Sequence, residues 1–254
     1  MASDIGGRSE QQDRIDTLSS ESGDTHLVIV ADGMGGHRDG ALAAQAVIET
    51  AKHHFNAGPL SDPRAFLEHL CLESHKSISN LGGDEQQSPG STCVLLYLNG
   101  PEAYWAHVGD SRMYHFSSDE LLNRTQDHSV AQLMVAEGRL SEADVDTSAL
   151  QNQLYMRLGG NNTPEPDFGA SEVRDSELFV LCSDGFWTYV SPDEVVECLR
   201  EYPLEKDAAR RLVEIARDRG GSDGDNISLA LTRWDSGERQ ANRGMLARLR
   251  SLFS

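Results

Sequence analysis

The order of the hydrophobic segments predicts an α+β fold in which mostly antiparallel sheets carry pairs of helices on their outer faces. Five β-rich apolar segments occur in the chain, and several are continuous, as is typical of strands covered on both faces. Two helical patterns follow the first strand in succession, and two more follow the fourth, unlike the strict alternation of a parallel sheet. The predicted strands are 27–31, 93–98, 103–108, 178–182 and 227–234.

The helices are predicted from apolar periodicity and from capping residues. In the first pair, the second helix starts with Asp62 as a cap and Pro63 in the first turn. In the second pair, Ser191 is followed three residues later by Glu194, the pattern of a capping box. The last helix ends at a glycine. The predicted helices are 40–55, 62–81, 191–202 and 205–220.

The charge of the chain is distributed unevenly. Its 254 residues, 38% hydrophobic and 25% charged, are typical of a globular protein with a sizeable core. The net charge of −19 argues against nonspecific binding to nucleic acid. Residues 233–254 contribute +3, which leaves −22 for residues 1–232. The sequence therefore predicts an acidic body with a basic tail.

One domain, 1–234, is expected, followed by a tail at 235–254, because no repeat or linker interrupts the earlier part of the chain. The tail pattern predicts a basic amphipathic helix that docks on a partner or an anionic membrane, or packs on its own acidic body.

The four cysteines form no C-x-x-C pair, which favours reduced thiols. No segment has the ~18 apolar residues of a membrane span. We expect a cytoplasmic monomer without a transmembrane segment.

The stretch LVIVADGMGGHRDG, at 27–40, first suggests a phosphate-binding glycine loop. The spacing excludes a Walker loop, because Ala41 and Leu42 stand where lysine and Ser/Thr are needed. A dinucleotide fingerprint fails because Arg38 occupies its third glycine. The carboxylate of Asp32 would also repel a phosphate unless a cation lay between them. The loop therefore favours a divalent metal site.

Aspartates flank four of the β-rich segments, each with a glycine beside it or nearby: Asp32, Asp110, Asp184 and Asp225. Each one alone is typical of an ordinary turn. If the four converge, their charges repel, and hard cations would neutralise them. Oxygen ligands favour Mg²⁺ or Mn²⁺ over zinc, and no His/Cys set competes. Two such ions ~3.5–4 Å apart would activate a water and stabilise a phosphoryl transition state.

Seven motifs occur in the order found in metal-dependent serine/threonine phosphatases of the phosphatase 2C type, and the chain resembles the bacterial branch over about residues 3–234. The resemblance implies a four-layer α-β-β-α sandwich with a dinuclear metal site between the sheets. The motifs are GGRSEQQD, ADGMGGHRDG, GST at 90–92, HVGDSRMY, TQDHSVAQLMVAEGRL, LCSDGFW and SDGDNISL.

The resemblance also implies the ligands of two Mn²⁺ or Mg²⁺ ions. Asp32 would bridge both ions, and Gly33 would contribute its carbonyl. Asp184 and Asp225 would complete the coordination of one of the two ions. Asp110, with Asp184, matches the ligands of a weaker third site.

Further positions follow the family pattern or depart from it. Asp13 would order metal-bound waters, and Arg8 would bind the phosphate. Gln12 stands where many relatives have Glu. Met34 occupies the position of the histidine proposed as general acid in animal members, which leaves the proton donor unassigned, with His37 nearby.

The implied activity is hydrolysis of phosphoserine and phosphothreonine on proteins, by a water that bridges the two metals, in opposition to a bacterial Ser/Thr kinase. The expected partners are the phosphorylated protein substrate and that kinase. The alternative is a binding module that keeps the phosphatase fold with weak turnover and acts in partner regulation. Because the chain retains the four strand-end aspartates, an active enzyme is favoured over a binding module.

Overall fold

The structure is a computed structural model and describes residues 1–35, 38–58, 61–82 and 88–235. Four layers follow one another: a helix pair, two five-stranded sheets packed face to face, and further helices. The strands are β1 (Ala2–Asp4), β2 (Arg14–Ser19), β3 (Thr25–Ala31), β4 (Gly33–Met34), β5 (Gly90–Ser91), β6 (Cys93–Asn99), β7 (Glu102–Val108), β8 (Arg112–Ser117), β9 (Glu120–Arg124), β10 (Asp167–Glu172), β11 (Leu178–Cys182) and β12 (Ile227–Arg233). The α-helices are α1 (Arg38–Asn56), α2 (Pro63–Ser79), α3 (Val130–Ala136), α4 (Asp184–Trp187), α5 (Pro192–Glu201) and α6 (Glu205–Gly220).

All strand pairs in the two large sheets are antiparallel. One sheet has the order β10-β7-β6-β3-β2, and the other has the order β1-β12-β11-β8-β9. The short strands β4 and β5 form a separate pair directly after β3 and before β6. The predicted fold class is confirmed.

Three hydrophobic clusters separate the four layers. Along β3, Leu27 and Ile29 face the cluster under α1 and α2, whereas Val28 and Val30 face the cluster between the sheets. Along β11, Val180 faces the cluster under α5 and α6. Successive strand residues point to opposite faces, so a strand between two apolar layers must be apolar on both. This explains the continuous apolar segments of the sequence.

The helix caps form as their residue types predict. Asp62 accepts hydrogen bonds from the backbone N–H groups at the start of α2, and Pro63 is the first helical residue. Ser191 and Glu194 form a reciprocal capping box at α5.

Seven strands are absent from the sequence prediction: β1, β2, β4, β5, β8, β9 and β10. Several of them are short or lie at sheet edges, where few apolar side chains are needed. Within the described parts of the chain, no helix combines the length and apolarity needed to cross a bilayer. The tail predicted to form an amphipathic helix lies beyond Asp235, outside the described residues.

Candidate metal centre

Five aspartates meet where the two sheets open at one end. Asp13 precedes β2 and Asp32 follows β3, and these strand ends are adjacent because Arg14 pairs with Ala31. Asp110 follows β7, the next strand but one in the same sheet. From the opposite sheet, Asp184 follows β11 and Asp225 precedes the neighbouring β12. Both sheets thus contribute carboxylates to one cleft.

The backbone of Asp32 is fixed on both sides. Its N–H donates to Thr92 Oγ1 at 3.1 Å, and its carbonyl accepts from Thr92 N at 2.8 Å and from Ser91 Oγ at 3.0 Å. Thr92 Oγ1 also lies 2.7 Å from Ser111 Oγ in the buried interior. These contacts hold the end of β3, and with it the side chain of Asp32, in one position.

Gly33 is required by the close approach of the backbone. A Cβ at this position would lie 2.0 Å from Gly40 O and 2.8 Å from Gln12 O. The chain can therefore turn from Asp32 into β4 against the start of α1 only with a glycine.

Asp13 links the two sheets at the floor of the cleft. It is 4% exposed, and its Oδ2 accepts from Ser183 Oγ at 2.7 Å. Its other oxygen, Oδ1, is buried without a hydrogen-bond partner, as is Asp184 Oδ1. Buried carboxylate oxygens normally have partners, so two unpartnered ones on aspartates that converge in one cleft point to a cation.

Arg8, which the resemblance implies as a phosphate-binding residue, is paired in this structure with a predicted metal ligand. Its guanidinium makes a two-pronged ion pair with Asp225, Nε to Oδ1 at 2.9 Å and Nη2 to Oδ2 at 2.6 Å. Arg8 thus lies at the metal centre, where its guanidinium contacts Asp225, a predicted metal ligand.

The electrostatics show how closely the carboxylates converge. The pKa of Asp32 is raised well above its usual value by burial, and then by the charges of Asp13, Asp184, Asp110 and Asp225. Burial likewise raises the pKa of Asp13 to about 8, against a lowering by its hydrogen bond from Ser183. Burial and the charge of Asp225 raise the pKa of Asp184 to about 6. Like charges gathered in a buried site require neutralisation, by protons or by cations.

The main chain of Asp110 is held by a hydrogen bond from Trp187, which packs on a buried ion pair. Its carbonyl accepts from Trp187 Nε1 at 2.9 Å, and the ring of Trp187 lies 3.6 Å from the guanidinium carbon of Arg112. Arg112 is in turn paired with buried Asp127 at 2.8 Å. The pKa of Asp110 is raised, first by burial and then by Asp184.

The donor set fits hard divalent cations. All five side chains supply carboxylate oxygen, which suits Mg²⁺ and Mn²⁺, and two of the oxygens lack any partner. The predicted ligands Asp32, Asp184 and Asp225 would hold such ions, with Asp13 acting through water. The cation at the cleft in this arrangement is the guanidinium of Arg8, which lowers the pKa of Asp184.

A second group of potential ligands, His107, His128 and Asp167, does not fit a metal. The two imidazoles stack with centroids 4.7 Å apart and an angle of 22° between their planes. A nitrogen lone pair lies in its ring plane, so stacked rings cannot both direct lone pairs at an ion about 2.0–2.1 Å away. Gly109 N–H also donates to His128 Nδ1, which places the proton on Nε2 facing Asp167.

Asn226 is a residue whose role the sequence prediction missed. Its Oδ1 accepts from Gln12 N at 2.7 Å, and its Nδ2 donates to the carbonyls of Ile5 and Glu10. It therefore ties the segment that carries Arg8 and Asp13 to β12. Its place inside the motif SDGDNISL was the available signal. Thr92, inside GST, was missed in the same way. His37 lies outside the described residues.

The comparisons with known proteins agree with this geometry. The family model described as Protein phosphatase 2C matches residues 8–225. A putative protein phosphatase 2C-type of Streptococcus pyogenes is 31% identical over 243 residues, 93% of this chain and 97% of the relative. The S. agalactiae serine/threonine phosphatase structure has a TM-score of 0.81 at 30% identity, and the match covers 91% of this chain and 96% of that chain.

A further solved structure bears on the metal. The catalytic domain of the serine/threonine phosphatase PstP, in complex with two manganese ions, has a TM-score of 0.76 at 29% identity, and the match covers 92% of this chain and 96% of that chain. From the extent of the family match and the similarity of these relatives, the chain belongs to the protein phosphatase 2C family and is a serine/threonine protein phosphatase.

Proposed function

We propose that the five-carboxylate cleft binds two divalent cations, Mn²⁺ or Mg²⁺, and that the protein uses them to dephosphorylate phosphoserine and phosphothreonine in proteins, in opposition to a Ser/Thr kinase. The observation that carries the proposal is the convergence of carboxylates from both sheets, with unpartnered buried oxygens on Asp13 and Asp184. The proposed metal ligands are Asp32, the Gly33 carbonyl, Asp184 and Asp225, with Asp13 acting through water and Asp110 serving a weaker third site.

When bound, the two cations supply an activated water and neutralise charge that develops on the phosphoryl group. The chain's own residues supply positioning. Thr92 and Ser91 fix the main chain of Asp32, and Ser183 fixes Asp13. No protein nucleophile is needed, because the activated water would be the nucleophile.

Arg8 is proposed to bind the phosphate oxygens of the substrate. Its pair with Asp225 is open to solvent, with the two side chains 57% and 39% exposed. Exposed ion pairs contribute only about 0–1 kcal/mol, so a divalent cation on Asp225 would readily displace the guanidinium. The freed guanidinium has the fork geometry that suits a phosphate.

The catalytic domain is proposed to span 1–234. All the proposed site residues lie between Arg8 and Asp225, and the last described strand, β12, ends at Arg233. The tail 235–254 would then be an addition outside the catalytic fold.

The decisive experiment is hydrolysis of a phosphothreonine peptide by the full chain with Mn²⁺, with and without a chelator. We expect chelator-sensitive hydrolysis, reduced at least about 100-fold in Asp32→Ala because a ligand shared by both cations is lost. Asp24→Asn is the matched control, because Asp24 is exposed in the turn before β3, at the end of the strand remote from Asp32. Equal hydrolysis by Asp32→Ala would refute the proposed site.

A further inference from the structure

A polar cavity of about 580 Å³ lies outside the metal centre, and none of the five aspartates lines it. It is formed by the end of α2, the residues before β5 and the segment from Leu154 to Glu165. Ser88, Asn162 and Thr163 are among its lining residues, and none of them carries a charge. This surface differs from the strongly acidic body around it.

Arg157 places a cation in this cavity. The guanidinium is half-buried and donates to Ser88 O at 3.2 Å and to Ser88 Oγ at 3.1 Å. The absence of a side chain at Gly90 makes room for it, since a Cβ there would lie 1.8 Å from Arg157 Nη1. Ser88 thus holds the side chain in position over Gly90.

Arg157 also lacks a carboxylate partner among the residues the structure describes. Its pKa is lowered, and the cause is burial alone. By contrast, buried Arg112 is paired with Asp127. Glu165 lines the same cavity, but it is exposed and makes no ion pair with Arg157 in the described structure. Within the described residues Arg157 is thus a half-buried cation without a counter-charge, an unfavourable state that an anionic ligand would relieve.

The cavity is connected to the catalytic loop through two short strand pairings. Gly33, next to Asp32, pairs with Ser91, and Ser91 forms a bridge with Leu158, next to Arg157. Two strand spacings of about 4.8 Å place Arg157 roughly 10 Å from the catalytic loop. An extended peptide covers that distance in about three residues.

We propose that Arg157 and its cavity form a second anion subsite, which recognises a carboxylate or phosphate side chain about three residues from the phosphorylated residue of the substrate. The inference rests on the proposed function, because the phosphorylated residue must lie at the carboxylate cleft. It assigns a local preference for acidic substrates to a protein whose body is otherwise acidic. The chemistry required is an anion accepting the guanidinium N–H groups that Ser88 leaves available.

The test compares phosphothreonine peptides that carry Glu, phosphoserine or Gln three residues before or after the phosphothreonine. We expect the wild-type kcat/KM to be about tenfold higher for an acidic peptide than for its Gln counterpart, mostly through KM, as one charge-assisted contact implies. Glu and phosphoserine peptides distinguish a carboxylate from a second phosphate. In Arg157→Gln the ratio between acidic and Gln peptides should fall below about twofold, while Arg157→Lys should retain part of it.

Arg139→Gln is the matched control, because Arg139 is an exposed arginine that pairs with Glu137, and it should keep the wild-type ratio. Thermal melting verifies that each variant is folded. The same ratio in wild type and Arg157→Gln, or a wild-type ratio near one at every position, would overturn the subsite. Failure of the proposed function has a different signature: wild type would hydrolyse neither the peptides nor para-nitrophenyl phosphate in a manganese-dependent way.

Discussion

The pair between Arg8 and Asp225 joins two residues that the family resemblance assigns to different tasks, one to phosphate and one to metal. Its donor–acceptor distances of 2.9 and 2.6 Å show that a guanidinium can take the place of a cation on Asp225. Arg8 engages both carboxylate oxygens of Asp225. Arg8 and a metal ion should therefore compete for it.

This competition makes a prediction about Arg8→Ala. Loss of the guanidinium should lower kcat/KM for a phosphopeptide by about 10–100-fold, the effect of a charge-assisted contact worth roughly 1.5–3 kcal/mol. It should at the same time tighten Mn²⁺ binding a few-fold in calorimetry, because Asp225 is no longer occupied. Arg200→Ala, which removes an exposed arginine paired with Asp119, should change neither quantity. Weaker Mn²⁺ binding by Arg8→Ala would show that Arg8 orients Asp225 instead of competing for it.

The buried carboxylates predict how the metal-free protein responds to pH. The folded-state pKa values of Asp184, about 6, and Asp13, about 8, lie above the usual value, so the folded protein binds more protons than the unfolded chain. The stability from this source is complete below about pH 4 and is lost as the pH rises through about 6 and 8. In a chelator, the melting temperature should fall across this range. Asp13→Asn should flatten the upper part of the fall, whereas Asp24→Asn, which removes the same charge from an exposed position, should not.

Among the elements, the junction between β3, β5 and β6 bears most directly on the site. Thr92 lies between β5 and β6, is fully buried, and exchanges two hydrogen bonds with the main chain of Asp32 through its own N–H and hydroxyl. Its hydroxyl also contacts Ser111. Thr92 thus connects the end of β3 and the start of β6 with Ser111, which lies directly before β8.

Thr92→Val tests this junction, because valine keeps the shape and removes only the hydroxyl. The Asp32 N–H and the Ser111 hydroxyl would lose a buried partner, so the free energy of unfolding should fall by about 1–3 kcal/mol in urea denaturation. The activity should fall as well, since Asp32 is less well fixed. Thr232→Val, at the partly exposed end of β12, should cost less than about 0.5 kcal/mol. Equal losses in both variants would contradict a special role of Thr92.

The elements also show how far sequence alone leads. The strands between two apolar layers were predictable because their apolar segments are continuous, as in β3 and β11. Strand β8 was not, because its sequence RMYHFS looks polar although five of its six residues are buried. Arg112 forms an ion pair with Asp127, and His115 is hydrogen-bonded to Glu177; both partners lie on other segments of the chain. Such pairs cannot be predicted from the local sequence pattern of one strand.

The same limit applies to the site. Four aspartates were predictable from their position at strand ends, whereas Asp13 and Arg8 were assigned only through the resemblance. Ser183, which binds Asp13, and Asn226, which binds the main chain on both sides of Arg8, lie about 170 or more residues further along the chain. Sequence predicts which chemical groups gather at strand ends; the hydrogen bonds that orient them depend on the packed sheets.

In the molecule as a whole, the carboxylate cleft is the place where the two sheets meet at one end. One sheet contributes Asp13, Asp32 and Asp110, and the other contributes Asp184 and Asp225. Carboxylates from the two sheets raise the pKa of Asp32 after burial, and the hydrogen bond from Ser183 to Asp13 links the sheets at this end. Cations bound between them should act as a cross-link of the whole fold.

Mn²⁺ should therefore stabilise the protein against heat, and not only activate it. A ligand at 100 times its Kd adds about 2.7 kcal/mol per site, which for a chain of this size corresponds to roughly 5–10 °C in melting temperature. Asp32→Ala should lose this increase and Asp24→Asn should retain it. Hydrogen exchange should slow on adding Mn²⁺ at the end of β3 and at the start of β12 together, because the ions join both sheets. Slowing in one sheet alone, or an unchanged increase in Asp32→Ala, would place the ions outside the cleft.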